Sequence, residues 1–262
     1  MRMFVVDAFT GEAFAGNPAG VCLLDAPADE AWMLKVAAEM KHSETAFVRR
    51  SGGGEFELRW FTPAVEVRLC GHATLGAAHA LFEAGLVPAG RPVVFRTRSG
   101  PLTVTPVARG YELDFPAKAA VPVETPDGLL EALGVAAEDV LRNDQNDLLV
   151  VVADAAAVRG TAPDFAALAG IDARGVCVTA PGEDGPNFVS RFFAPAVGVE
   201  EDPVTGSAHC MLAPYWAERL GRTELAARQL SARGGSLRVT LRGDRVLLGG
   251  EAVTVLDGEL RV

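Results

Sequence analysis

The chain has 262 residues, 49% of them apolar, and a formal net charge of −10. That length supports one large domain or two modest ones around a substantial core. The acid excess and the lack of any Lys/Arg cluster exclude nucleic acid as a partner, and with no run of eighteen apolar residues no membrane span is expected.

Read in chain order, the N-terminus carries acids early and reads as a first strand over 3–9, not as a signal peptide. β-Branched and aromatic runs punctuated by Gly, Pro and Asp predict further strands at 20–24, 45–50, 55–61, 93–97, 102–107 and 111–115. The glycine run at 52–54 is a hairpin turn in this reading, not a phosphate loop. Residues 30–40 show helical spacing of apolar positions. Residues 73–84 are apolar nearly all round, so that helix is buried on most sides and ends at Gly85. The Pro-rich stretch 116–128 marks a boundary. Beyond it, a short helix is expected at 126–133, strands at 148–152, 176–179, 187–193, 229–231, 236–241, 245–249 and 252–256, and a second buried helix over 205–220 that stops at Gly221. Each half thus holds many strands and one enclosed helix, which calls for a curved sheet or incomplete barrel around that helix.

The halves are related. Residues 58–67 read LRWFTPAVEV and residues 190–199 read SRFFAPAVGV, with six of ten positions identical at an offset of 132. Arg59/Arg191, Phe61/Phe193 and Pro63/Pro195 are among them. Each copy runs into a polar turn and then the apolar helix: Cys70-Gly71-His72 in the first, Asp202-Pro203-Val204-Thr205-Gly206-Ser207 in the second. The same offset carries Cys70 onto Asp202.

These helix starts are where chemistry is expected. Asp202 suits an N-cap, Pro203 suits a first turn, and Thr205, Gly206 and Ser207 then leave N–H groups open to an anion. Gly71 permits close approach, and His72 opens the first helix. Capping with nothing bound is the plainer alternative. Glu44 lies in HSETAFVRR at the mouth of an apolar strand, and no acid stands at the matching place near 174–179. Desolvation raises the pKa of such a carboxyl and suits it to proton transfer; a solvated strand-end Glu is the alternative. Cys70 can be a reactive thiolate at a helix start or a core residue. A two-base racemase needs a second thiol, and the offset supplies Asp202, so Cys70 reads as structural. His42, His79 and His209 read as packing or surface residues. The four cysteines form no C-x-x-C pair and no zinc spacing, as expected of reduced, buried thiols in a cytoplasmic protein. No metalloprotease, nucleophile-elbow, Walker or dinucleotide pattern occurs, so chemistry without a cofactor or metal is the default.

Four segments carry a family resemblance: VDAFT with GNPAGV (6–10, 16–21), SETAFV (43–48), FTPAVEVRLCGHATLGAAHAL (61–81) and RFFAPAVGVEEDPVTGSAH (191–209). With them the whole chain resembles the phenazine-biosynthesis PhzF-like family of the diaminopimelate-epimerase-like superfamily. The resemblance implies an α+β fold of two pseudo-symmetric halves, each a barrel-like, mostly antiparallel sheet around a central helix, with the active site in the cleft between them. The halves would be 1–116, joined by the last strand 251–262, and 117–250. It places a general acid/base on Glu44 and further catalytic groups on His72, Asp202 and Ser207. It places substrate binding on Asn17, Gly71, Thr205 and Gly206, the glycines donating backbone N–H groups to a carboxylate. It also implies a homodimer. Relatives often carry a G-R-P-S-like segment where this chain reads Arg233-Gly234-Gly235-Ser236. The expected activity is a cofactor-independent isomerisation of a small carboxylic acid, cyclic amino and hydroxy acids among the candidates. Two other readings stay open: a two-base amino-acid racemase using Cys70, and a non-catalytic small-ligand-binding protein.

Overall fold

The computed structural model describes residues 1–261; the strand expected over 251–262 ends on Val262, outside the described residues. Two compact units emerge, residues 1–114 with the C-terminal segment from Gly249, and residues 115–248. The first contains β1 (Arg2–Ala8), β2 (Asn17–Leu24), α1 (Glu30–Met40), β3 (Glu44–Gly52), β4 (Glu55–Phe61), β5 (Glu66–Val67), α2 (Gly71–Glu83), β6 (Val93–Thr97) and β7 (Gly100–Pro106), and β8 (Tyr111–Pro116) closes it. The second contains β9 (Val121–Pro122), α3 (Leu129–Leu133), β10 (Asp139–Arg142), β11 (Asp147–Val151), α4 (Ala155–Gly160), α5 (Phe165–Ala169), β12 (Gly175–Pro181), β13 (Phe188–Ala194), β14 (Val199–Asp202), α6 (Gly206–Leu220), β15 (Glu224–Gln229), β16 (Gly235–Arg242) and β17 (Arg245–Gly250). The chain then returns to the first unit as β18 (Ala252–Glu259).

The two units use one pairing scheme. In the first, β1 runs antiparallel to β18 and β2, β2 and β3 are parallel, β3 and β4 antiparallel, and β4 takes β5 antiparallel and β6 parallel. In the second, β10 is antiparallel to β9 and β11, β11 and β12 are parallel, β12 and β13 antiparallel, and β13 takes β14 antiparallel and β15 parallel. The parallel pairings thus fall at the same two places in mostly antiparallel sheets, as an internal duplication requires.

One face of each sheet packs on a central helix. α2 is apolar on most sides and lies against β1, β2, β3, β7 and β18. In α6, Trp216 stacks on Phe188 of β13 with centroids 5.8 Å apart and donates Nε1–H to Thr179 Oγ1 of β12 at 3.0 Å. A second layer covers the opposite face: Met33, Val36 and Ala37 of α1 pack on Cys22, Phe47 and Phe61. Its counterpart packs α3, α4 and α5 on Val150, Val178 and Phe193. α1 has the expected bounds because Asp29 accepts from Trp32 N–H and Lys41 closes the helix in the left-handed region. No helix among the described residues is long and apolar enough to cross a membrane.

The repeated motif has a mechanical duty. Arg59 donates to both oxygens of Glu66 at 2.8 and 2.7 Å, and its guanidinium lies 5.1 Å over the Phe61 ring. Arg191 does the same with Glu201 at 2.7 and 2.9 Å, 4.9 Å over Phe193. Each arginine clamps the short strand leading to the central helix onto the strand that carries the motif, and bidentate geometry makes that clamp directional.

Several elements differ from expectation. The strand placed at 229–231 is instead β15, Glu224–Gln229, because the chain turns at Ser231–Gly234, where Gly234 N donates to Ser231 Oγ. The helix placed at 126–133 starts only at Leu129, since Gly128 adopts φ +76°. β5, β9, β10, β14, α4 and α5 were not anticipated; each is six residues or shorter.

Candidate active site

In the first unit the sheet fixes Asn17 and Glu44. Gly76 of α2 sits close to Ala19, whose Cβ lies 3.8 Å from where a Gly76 Cβ would stand. Alternate residues of a strand share a face, so Asn17 lies on the same α2-facing side. Glu44 pairs with Ala19 in the parallel β2–β3 register and shares that side. Asn17 is fully buried at the start of β2. The turn before it needs Gly16: its φ is +65°, and a Cβ there would stand 2.2 Å from the Ala8 carbonyl oxygen. Asp7 braces the same loop by accepting from Phe14 N–H at 2.7 Å.

The α2 start brings the other groups to Glu44. Cys70 is the N-cap, with extended φ/ψ and no side-chain capping bond. Its Sγ lies 3.5 Å from His72 Nδ1, and His72 Nε2 lies 3.4 Å from Glu44 Oε2. Burial, with the nearby His42 charge a smaller contribution, pushes the His72 pKa down to about 3. The imidazole is therefore neutral at pH 7, with one nitrogen donating and the other accepting. A carboxylate oxygen of Glu44, Cys70 Sγ and a His72 ring nitrogen all lie within 4.8 Å of one another, a donor set able to hold a cation. The N-cap residue Cys70 makes no side-chain bond to the first-turn N–H groups of α2, and first-turn N–H groups are the kind that receive an anion.

In the second unit Asp202 is not the N-cap. It ends β14, where it pairs with Phe192, and α6 starts at Gly206 with Thr205 as N-cap. The reason is that Asp202 is paired in the β13–β14 ladder and the Thr205 N–H it would cap donates to Gln229 Oε1 instead. Asp202 instead accepts from Thr205 Oγ1 at 2.6 Å. Gln229 completes the turn: Oε1 accepts from Thr205 N–H at 2.9 Å, and Nε2 donates to the Asp202 carbonyl at 2.7 Å. Ser231 Oγ donates to the Pro203 carbonyl at 2.8 Å, so the segment after β15 braces the same turn. Gln229 carried no local signal, since only the parallel β13–β15 pairing brings it here.

Arg174 is a second residue that the motifs did not single out. Its Nη2 donates to Asp147 Oδ2 at 2.5 Å and to Ser207 Oγ at 3.2 Å. Asp147 is fully buried, and burial raises its pKa against the opposing pull of Arg174 and the Asn143 amide. Ser207 is thereby held by a cation at the start of α6. His209, expected to be structural, is fully buried; its Nδ1 lies 2.8 Å from the Thr205 carbonyl, and burial pushes its pKa down to about 4.

Registers within each unit also show which residues correspond. Phe61 pairs with Thr45 and Phe193 with Val176, so Thr45 answers to Val176 and Glu44 to Gly175. The matching place therefore has no side chain at all. A Cβ on Gly175 would stand 2.3 Å from Cζ of Phe192, whose ring fills the space. The link from motif to helix is three residues longer in the second copy, so the fixed offset fails beyond the motif. By cap position Cys70 answers to Thr205, Gly71 to Gly206 and His72 to Ser207. Cys70 has no thiol counterpart under either alignment.

Known proteins agree with this architecture. The family model described as phenazine biosynthesis-like protein, PhzC-PhzF, matches residues 6–258. An uncharacterized isomerase of Pseudomonas aeruginosa is 51% identical over 262 residues, covering 100% of this chain and 99% of the relative. The crystal structure of a PhzF-family phenazine biosynthesis protein from Enterococcus faecalis superposes with a TM-score of 0.95 at 42% identity, over 100% of this chain and 99% of that one. A probable proline racemase from Agrobacterium radiobacter shares the fold at a TM-score of 0.65 and 13% identity, covering 100% of this chain and 93% of that one.

Proposed function

Since the chain belongs to the phenazine biosynthesis-like, PhzC-PhzF family, we propose that it is an isomerase using side chains alone, with Glu44 as its single general acid/base. Glu44 takes a proton from a carbon of a small carboxylic acid, becomes a neutral carboxyl whose O–H exchanges with solvent, and delivers a proton to another carbon of the same molecule. The observation that carries this reading is the asymmetry. One carboxylate stands 3.4 Å from a neutral imidazole, and its register counterpart is a glycine whose side-chain space is filled by Phe192.

In this reading His72 holds the Glu44 carboxyl in one orientation and hydrogen-bonds whichever protonation state it is in. A neutral ring does this without locking the base as an ion pair. The first-turn N–H groups of α2, from Gly71 on, take the substrate carboxylate, where the helix dipole favours negative charge. Asn17 contributes a further polar contact on the same face. Within the second unit, Gln229 and Arg174 hold the turn that carries Asp202, Thr205, Gly206 and Ser207. General acid/base catalysis of this kind contributes about 10²–10⁴-fold in rate. A two-base racemase retains one favourable observation, Cys70 at a helix start beside His72, and lacks a partner thiol.

Incubation with cyclic amino and hydroxy acids in deuterated water tests the assignment. Wild type is expected to place solvent deuterium on a substrate carbon, and Glu44→Gln to lose that by at least about 10². Equal uptake by the variant would remove Glu44 as the base. Binding without uptake by wild type would leave a ligand-binding protein.

A further inference from the structure

We propose that Glu44, Cys70 and His72 form an inhibitory binding site for one thiophilic divalent cation of the Zn²⁺ class. The binding half of this inference stands on geometry alone; the inhibitory half rests on Glu44 being the base. In a tetrahedral zinc site the ligand atoms lie ~2.0–2.3 Å from the metal, which puts sulfur and nitrogen about 3.6 Å apart and nitrogen and oxygen about 3.3 Å apart. Here Cys70 Sγ lies 4.0 Å from His72 Nε2, and Nε2 lies 3.4 Å from Glu44 Oε2. The third pair, Cys70 Sγ and a Glu44 carboxylate oxygen, lies within 4.8 Å against about 3.5 Å in such a site, so closing the set around a cation takes movements of up to about 1.3 Å. The donors come from two elements, β3 and the α2 start, so no Cys/His spacing in the sequence announces them.

The donor chemistry selects the ion. A thiolate, an imidazole and a carboxylate suit Zn²⁺ and its softer relative Cd²⁺, whereas Mg²⁺ and Ca²⁺ want several oxygens and find a single carboxylate. Cys70 and His72 are buried and Glu44 is half-buried, so the site is largely screened from water. Charge balances as well: Cys70 gives up its thiol proton to solvent on coordination, and thiolate plus carboxylate neutralise the cation. Three protein ligands leave the fourth position open to water or to a substrate carboxylate. Occupancy ties up the lone pair that Glu44 needs for proton abstraction, so the metal-loaded protein is inactive.

Cadmium titration of chelator-treated protein tests the site by absorbance, independently of any substrate. Wild type is expected to bind about one equivalent tightly, with a near-ultraviolet thiolate-to-metal band. Cys70→Ser should lose the band, and Glu44→Gln and His72→Asn should each weaken binding by at least about tenfold. Cys210→Ser, which changes a different buried thiol, should keep both band and affinity. No band with wild type, or a band that survives in Cys70→Ser, overturns the cation site while leaving the isomerase reading intact. Conversely, a Cys70-dependent band with no deuterium uptake by the metal-free protein upholds the site and refutes the isomerase reading. Where uptake occurs, Zn²⁺ should suppress it and a chelator restore it; undiminished uptake by the zinc-loaded protein overturns the inhibition.

Discussion

Gly175→Ala offers a direct probe of how the second unit excludes a second base. The added Cβ would stand 2.3 Å from Phe192 Cζ and 2.9 and 3.0 Å from its two ε carbons. Ordinary carbon contacts lie at about 3.5 Å or beyond, so the ring must retreat by roughly 1 Å. Phe192 is 2% exposed and has little room to do so. Overpacking of this size costs about 1–3 kcal/mol, enough to shift a urea midpoint by about 1 M at a typical slope. A double-mutant cycle apportions the effect: in a Phe192→Leu background the same substitution should cost less than about 0.5 kcal/mol, leaving a coupling of about 0.5 kcal/mol or more. If Gly175→Ala is neutral, or equally costly in both backgrounds, then Phe192 does not occupy the counterpart position and the packing explanation of asymmetry fails.

Other outcomes follow from the same structure. His72 and His209 have folded-state pKa values pushed by burial to about 3 and about 4 from 6.5. Below pH 6.5 the unfolded chain takes up protons that the native state refuses, so stability present above that pH is lost as pH falls toward about 4. Urea unfolding should show a limiting slope of about 1.4 kcal/mol per pH unit for each histidine, and His209→Leu should remove one share. Arg174→Ala leaves the fully buried Asp147 carboxyl without its cation and should cost about 3–5 kcal/mol. Adding Asp147→Asn should recover part of that loss in thermal unfolding, and no recovery would mean the ion pair is not the cause. Arg191→Lys keeps the charge but not the two-pronged bond to Glu201, and should lose about 1–2 kcal/mol by urea unfolding.

The parts of the fold that the sequence announced are those enforced by repetition or by caps. The motif was legible because Arg59 and Arg191, with Phe61 and Phe193, perform the same clamping in each unit. α1 was legible because Asp29 and Lys41 mark its ends. β5 and β9 were not, because two-residue strands have no periodicity to detect. α4 and α5 are helices of less than two turns set by Asp154 and Asp164 caps, too short for a helical pattern. The site was half legible. Glu44 and His72 stood in motifs, but their proximity comes from packing α2 against β3. Counting by a fixed offset misassigned the counterpart of Cys70, because a three-residue insertion before α6 is invisible until the helix starts are known. Gln229 and Arg174 reach the Asp202–Ser207 turn only through parallel pairings and a buried acid, which no local pattern encodes.

The central claim is that one carboxylate, without a thiol partner, moves the proton. It is tested most directly by comparing solvent-deuterium uptake in Glu44→Gln and Cys70→Ser under identical conditions. The account predicts loss of at least about 10² in Glu44→Gln and retention of most activity in Cys70→Ser. Loss in Cys70→Ser with activity kept in Glu44→Gln would contradict it and return the protein to two-base chemistry.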